Sequence, residues 1–293
     1  MSHSTLHQLA QQEKTRREIL HKSDLIPPLP DLVVRLLGIL NKQETEPQDL
    51  EKLLQNDQVL VAKMLAMVNS PFYGLNRTIR SIKEAVMVLG FRGVRSLVLA
   101  TSTAKFLQRN FEVYGHQPKG LWLHAVCVAA GSRALARHCK MTPDDAEMLF
   151  VAGLLHDIGK MLLAPYLNDA AKGTTGVDGI SAFERTTIGI DHTEAGALVT
   201  AKWNLAAEVQ DAIKGHHDGA ATVPTRPNAV VRLADAVAHE RGTGYLPGRA
   251  PLITVLPQDL QALGLTADAW SALRDSLVVV MDEAVAALGN LSS

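Results

Sequence analysis

Ionisable side chains scattered from His124 to Asp235, in otherwise apolar segments of helical period, set the strongest limit on how this chain can fold. They are His124 in LWLHAVCVAAG, the adjacent His156 and Asp157 in LLHDIGK, His192 in IDHTEAGAL, the pair His216 and His217 in IKGHHDGA, and Asp235 in VVRLADAVA. Imidazoles and carboxylates are costly to bury unless they pair with one another or hold a metal ion. Burying these helices therefore requires either that the polar residues converge or that each finds a local partner.

Taken singly, each residue has a plain local reading. His124 suits a core or edge position with one hydrogen bond, Asp157 a local cap or pair, His156 a bond to a carbonyl, and Lys160 a place in solvent. His192 lies near a helix start that Asp191 or Thr193 can cap. His216 and His217 suit an exposed helix end before Asp218 and Gly219, and Asp235 has Arg232 three residues earlier as a cation. Taken together, they offer a chemistry that none offers alone. A carboxylate such as Asp157 can give one oxygen to each of two metals, whereas His156 can give nitrogen to only one. Gly159 removes a side chain where a substrate or a neighbouring helix comes close. Lys160 lies on the same side as His156 and Asp157 and can meet a phosphate as a point charge.

Periodicity and its interruptions predict an all-α protein. Pro27, Pro28 and Pro30 stop any helix from the N-terminus, and Asp31 can cap the next one. Pro47 opens QDLEKLLQ, Asp57 can cap VLVAKMLAMVN, and NSPFYGLN reads as a turn. Ser81 with Glu84 forms a candidate capping box for IKEAVMVLG, ending at Gly90, and GVRSLVLATSTAKFLQR reads as a further helix by its length. Beyond residue 120 come five helical tracts, among them PDDAEMLFVAGLLHDIGKMLLAPYL as one run, with Pro143, Gly173, Gly176 and Pro224 between tracts. Thr266 can cap a last helix whose stripe of Trp270, Leu273, Leu277, Val280 or Met281, and Ala284 suits packing on the body or a partner. The expected division is a helix or tail over 1–22, an N-terminal helical lobe over 23–118, a histidine-bearing core over 119–245, and a loop with the C-terminal helix over 246–293.

With 293 residues, 47% of them hydrophobic, the chain can build a substantial core without staples. Cys127 and Cys139 form no close-spaced thiol pattern, which fits a reducing, cytoplasmic setting. The opening MSHSTLHQLAQQEKTRREIL lacks a signal-peptide core, and no run of about 18 uninterrupted apolar residues follows, so no membrane association is expected. Twenty-nine basic against 30 acidic side chains, a net charge of -1, supply no broad positive field for nucleic acid.

The ordered set of His124, His156 with Asp157, His192, His216, His217 and Asp235 resembles the metal-binding pattern of the HD superfamily of metal-dependent phosphohydrolases. The preceding segments LIPPLP, NDQVLVAKMLAMVNSPFYG and IRSIKEAVMVLGFRGVRSLVLA resemble the HDOD domain of bacterial signalling proteins, so the likeness covers residues 20 to 240. It implies a helical HDOD bundle in which Asp157 bridges two metals. His124, in a Trp-x-His context with Trp122, and His156 and Asp235 would complete the first site, and His192, His216 and His217 the second. Iron or manganese would be the first expectation, with nickel, cobalt or zinc as alternatives. The chain departs from the cyclic-dinucleotide phosphodiesterases of the superfamily. It reads HHDGAATVPTRP where they carry Gly-Tyr-Pro, its own Gly244–Tyr245–Leu246 comes after Asp235, and Gly120 stands where relatives with a third metal carry an acidic residue.

Two functions follow from the resemblance. A catalytic centre would act on a phosphorylated small molecule or nucleotide, with Asp157 and Lys160 as catalytic residues and Lys160 also binding substrate. A non-catalytic scaffold would carry structural or sensory metal and bind a signalling protein. A homodimer fits either.

Overall fold

In a computed structural model, the structure describes residues 10, 12–19, 27–40, 46–55, 57–167, 177–218, 222–248, 250 and 253–289. These residues form helices α1 (12–19), α2 (Asp31–Leu40), α3 (Pro47–Leu54), α4 (Gln58–Val68), α5 (Ile82–Leu107), α6 (Gly120–His138), α7 (Pro143–Leu155), α8 (Lys160–Leu163), α9 (Val177–Ile188), α10 (His192–Lys202), α11 (Ala207–Lys214), α12 (Arg226–Glu240), α13 (Pro257–Leu263) and α14 (Ala267–Leu288). Extended pairing among the described residues is confined to one isolated bridge between His116 and Tyr245. The fold is all-α, as the periodicity predicts. Residues 1–9 and the expected breaks at Gly173 and Gly176 lie outside the described residues.

The punctuation works largely as read. Asp57 accepts from the Leu60 amide at 2.9 Å, and Thr266 accepts from the Ala269 amide at 3.2 Å. Ser81 accepts from the Glu84 amide at 3.1 Å, but Glu84 reaches the Arg80 amide instead of closing the box on Ser81. Asp31 is the first helical residue of α2, not its cap, because the carbonyl of Pro30 already takes the Val34 amide. Gly90, at φ 69°, breaks the helical path inside α5, so the two expected helices run end to end across a kink.

One tract is divided where the sequence suggests continuity. α7 stops at Leu155, residues 156–159 form a tight turn, and α8 starts at Lys160. Backbone bonds of the three-residue type, Ile158 to Leu155 and Lys160 to Asp157, tighten that turn. Gly159 explains why it packs there: a Cβ at this position would lie 2.0 Å from the His192 carbonyl oxygen and 2.6 Å from the Gly196 amide. The neighbour that needs this glycine is α10.

α6 is the central helix, packed against α7, α12 and α14. Trp122 on α6 is fully buried and donates its indole N–H to the Leu288 carbonyl at 3.2 Å, while the α14 stripe from Trp270 to Ala284 is buried on the body. The N-terminal helices α2 to α5 bury Leu36, Leu50, Leu54 and Met64, and the core continues from them into α7. Arg133 of α6 strengthens the junction: its guanidinium lies 4.1 Å from the Phe72 ring centre and 3.5 Å from a Glu147 oxygen. α1 docks on the α9–α10 corner through Arg16 to Glu194, at 3.0 Å, and Gln12 to the Thr186 carbonyl. Two stretches, Ile82–Leu107 and Pro143–Tyr166, are long and apolar enough to cross a membrane, but 56% and 83% of their apolar windows are buried within the protein.

Replacing Gly159 with alanine would force α8 away from α10. We expect Gly159→Ala to cost about 1–3 kcal/mol or more, as overpacking against backbone does. An unchanged midpoint in urea denaturation would refute this account of the turn.

Candidate metal centre

Five separate parts of the fold deliver the ionisable residues to one place. His124 comes from the first turns of α6, His156 and Asp157 from the turn between α7 and α8, and His192 from the first residue of α10. His216 and His217 follow the end of α11, and Asp235 comes from the middle of α12. All but the half-buried His217 are at most 2% exposed.

They divide into two sets, each with ligand atoms within 4.8 Å of one another: His124, His156 and Asp235 in one, and Asp157, His192, His216 and His217 in the other. Asp157 lies between them. Its Oδ2 faces the first set, 3.3 Å from His156 Nε2 and 3.7 Å from His124 Nε2. Its Oδ1 faces the second, 3.5 Å from His192 Nε2 and 3.9 Å from His216 Nε2. Asp235 Oδ1 closes the first set, 3.1 Å from His124 Nε2 and 3.6 Å from His156 Nε2.

The ring orientations are set from behind. His156 Nδ1 lies 2.8 Å from the Gly153 carbonyl and His216 Nδ1 2.5 Å from that of Ile213, so each donates there and turns its Nε2 inward. The inward atoms His124 Nε2, His156 Nε2, His192 Nε2, His216 Nε2, Asp157 Oδ1 and Asp235 Oδ1 are buried without a hydrogen-bond partner among the described residues. Orphaned buried polar atoms call for a ligand, and nitrogen with carboxylate oxygen is the donor set of first-row divalent ions. Both sets could chelate such ions, and the residues fit them.

Electrostatics favour the same state. Burial pushes the His124 imidazole down to about 4 and that of His216 to about 3, so both rings are neutral and able to ligate near pH 7. Burial opposes ionisation of Asp157, yet Lys160 and His156 outweigh it and hold its carboxyl well below the usual range. Burial opposes Asp235 likewise, and His239 and His124 overcome it. His156 is the exception: burial lowers its affinity for a proton, but Asp157 more than restores it.

Three local readings fail. The end of α11 is not an exposed terminus, since His216 is buried and His217 half-buried. Lys160 is not in solvent; it is buried, with Nζ 2.6 Å from Asp157 Oδ2. Arg232 does not serve Asp235, because its guanidinium is held by Asp259 and by the Asp218 carbonyl. Gly120 cannot be replaced by an acidic residue, since a Cβ there would lie 1.9 Å from the Gly244 carbonyl oxygen. The segment occupying that space brings Tyr245, remote in sequence, to stack on His116 at 4.2 Å and to meet His124 edge-on at 5.5 Å.

Sequence reasoning passed over His239 and Glu184. His239, four residues after Asp235 on α12, places Nε2 3.2 Å from Asp235 Oδ1, and that spacing was readable. Glu184 on α9 is fully buried and lies 2.6 Å from His192 Nδ1. No helical spacing links it to His192, because a change of direction at Gly189 separates the two helices.

Comparison with known proteins agrees with this architecture. The HDOD domain profile matches residues 26–219. An uncharacterised protein of Treponema pallidum (strain Nichols) is 28% identical over 249 residues, 82% of this chain and 46% of that protein, so the chain spans about half the length of this curated relative. The crystal structure of an HDOD domain protein of unknown function from Geobacter sulfurreducens superposes with a TM-score of 0.72 at 28% identity, covering 97% of this chain and 99% of that one. A Shewanella amazonensis SB2B structure with a provisional phosphohydrolase name shares the fold, with a TM-score of 0.72 at 23% identity over 94% of this chain and 98% of its own.

The lowered imidazoles make the metal-free protein sensitive to acid. His116, His124 and His216 stay neutral in the folded protein, whereas in the unfolded chain they take up protons below about pH 6.5. Folding stability should therefore fall as pH drops from about 7 toward 4, with His156 offsetting part of the loss because its folded affinity is raised. A decline of at least about 1 kcal/mol per pH unit is expected in chelator-treated protein followed by urea denaturation. Constant stability across that range would contradict it.

Proposed function

Because the chain belongs to the HDOD domain family, we propose that it is a signalling protein whose two-metal centre hydrolyses a phosphoester, in a phosphorylated small molecule or a nucleotide. The observation that carries this reading is Asp157, whose two oxygens face two different sets of imidazoles. That arrangement suits a carboxylate bridging two ions, held by His124, His156 and Asp235 on one side and by His192, His216 and His217 on the other.

When bound, two divalent ions supply a nucleophile at neutral pH and stabilise charge on phosphoryl oxygens. The chain's own residues hold the geometry. Asp157 keeps the two sites at one separation, and the Nδ1 bonds of His156 and His216 keep their rings from turning. Lys160, buried beside Asp157, provides a fixed positive charge that a phosphoryl group can meet. Iron or manganese leads among the candidate ions, with nickel, cobalt and zinc after them.

Burial of every residue of the set but the half-buried His217 favours a second reading, a signalling scaffold with structural metal that docks a regulatory protein. Metal analysis of untagged protein, combined with hydrolysis assays on nucleotides and phosphoesters, separates the two. For the catalytic reading we expect about two ions per chain, and a loss of at least about 10²-fold in hydrolysis in Asp157→Ala with the fold retained. Stoichiometric metal with no turnover under any metal condition would leave the scaffold.

A further inference from the structure

The imidazoles of the second site are not anchored alike. His216 lies just past the end of α11, so its Nδ1 finds the carbonyl of Ile213 within its own turn, and His156 uses Gly153 in the same way after α7. His192 cannot do this. As the first residue of α10 it has no helical turn before it, and its cap, Asp191, already accepts from Thr193 and Glu194. Its Nδ1 partner has to come from another element.

That partner is Glu184. Its Oε2 accepts both from the His192 amide at 2.9 Å and from Nδ1 at 2.6 Å, while its Oε1 accepts from the Tyr114 hydroxyl at 2.7 Å. Both carboxylate oxygens are thus engaged in a side chain with no exposure. Tyr114 lies in the turn between α5 and α6, and Lys160 Nζ stands 5.3 Å from its ring centre. A negative charge at the start of α10 is also favoured by the helix dipole. A carboxylate behind a ligating imidazole fixes its tautomer and makes the opposite nitrogen a stronger donor, which a neutral carbonyl does less well.

We propose that Glu184 is the positioning residue of the second site, and that Tyr114 acts through it; this rests on the two-metal reading above. Removing its charge weakens the second site selectively and leaves the first untouched. Glu184→Gln keeps the shape and an acceptor for Nδ1, so the fold has little reason to change.

The test is calorimetric titration of the full, metal-free chain with Mn(II) and with Zn(II). Asp235→Asn identifies the first-site step, and His217→Ala the second. Glu184→Gln should weaken only the step that His217→Ala removes, by about 10–100-fold. Tyr114→Phe should weaken the same step less, and add nothing in the Glu184→Gln background. In metal-free protein, the His192 Nδ1 proton should move upfield in Glu184→Gln by NMR, which a role in packing alone would not produce. Equal weakening of both steps, or no change in either, would overturn the proposal while leaving two metals in place. No binding of either ion to the wild-type chain would sink the two-metal reading and this proposal with it. Should Glu184→Gln fail to fold, Tyr114→Phe carries the test alone: it must weaken the second step and only that step.

Discussion

A carboxylate with almost no access to water is the group around which this protein is arranged. Asp157 is ionised in an interior that disfavours charge, and it is kept so by Lys160 and the surrounding imidazoles. Desolvation of an unpaired carboxylate would cost several kcal/mol, so the helices that supply its neighbours cannot move independently of it. α6, α10, α12 and the α7–α8 turn are tied to one another by this electrostatic demand as well as by apolar packing.

The apolar scaffold gives that demand its geometry. Close approach of α8 to α10 at Gly159, and of the 242–246 segment to α6 at Gly120, leaves no slack in the walls of the centre. α14 covers α6 through its buried stripe, and the Arg133 contacts join the N-terminal helices to α6 and α7. Tyr114 makes a second junction, because it stands at the end of the N-terminal helices and holds Glu184. Two outer groups differ accordingly: Glu184 pairs with His192 of the second set, and His239 with Asp235 of the first.

Much of this was readable in the chain. Helical period, prolines and caps at Asp57, Ser81 and Thr266 predict the elements, since each depends on contacts within a few residues. The converging residues were readable too as candidates, because histidines and aspartates in apolar helices carry a cost that either convergence or a local partner for each must relieve. Where local reasoning failed, a distant contact was responsible. The HDIG turn interrupts a tract of helical period, and Gly159 in it lets α10 approach more closely than a Cβ would allow. Lys160 is drawn inward by Asp157, and Arg232 is taken by Asp259 from α13.

What the amino-acid order determined by itself is therefore the helical class, the punctuation, and the identity of the polar residues too expensive to bury apart. Tertiary structure alone decided which oxygen of Asp157 faces which imidazoles, that Tyr245 returns beside His124, and that Glu184 stands behind His192. Helix spacing and capping act over one or two turns and so leave a trace in sequence. Contacts across α9 and α10, or between Gly120 and Gly244, depend on how whole helices cross, and side-chain periodicity holds no record of that.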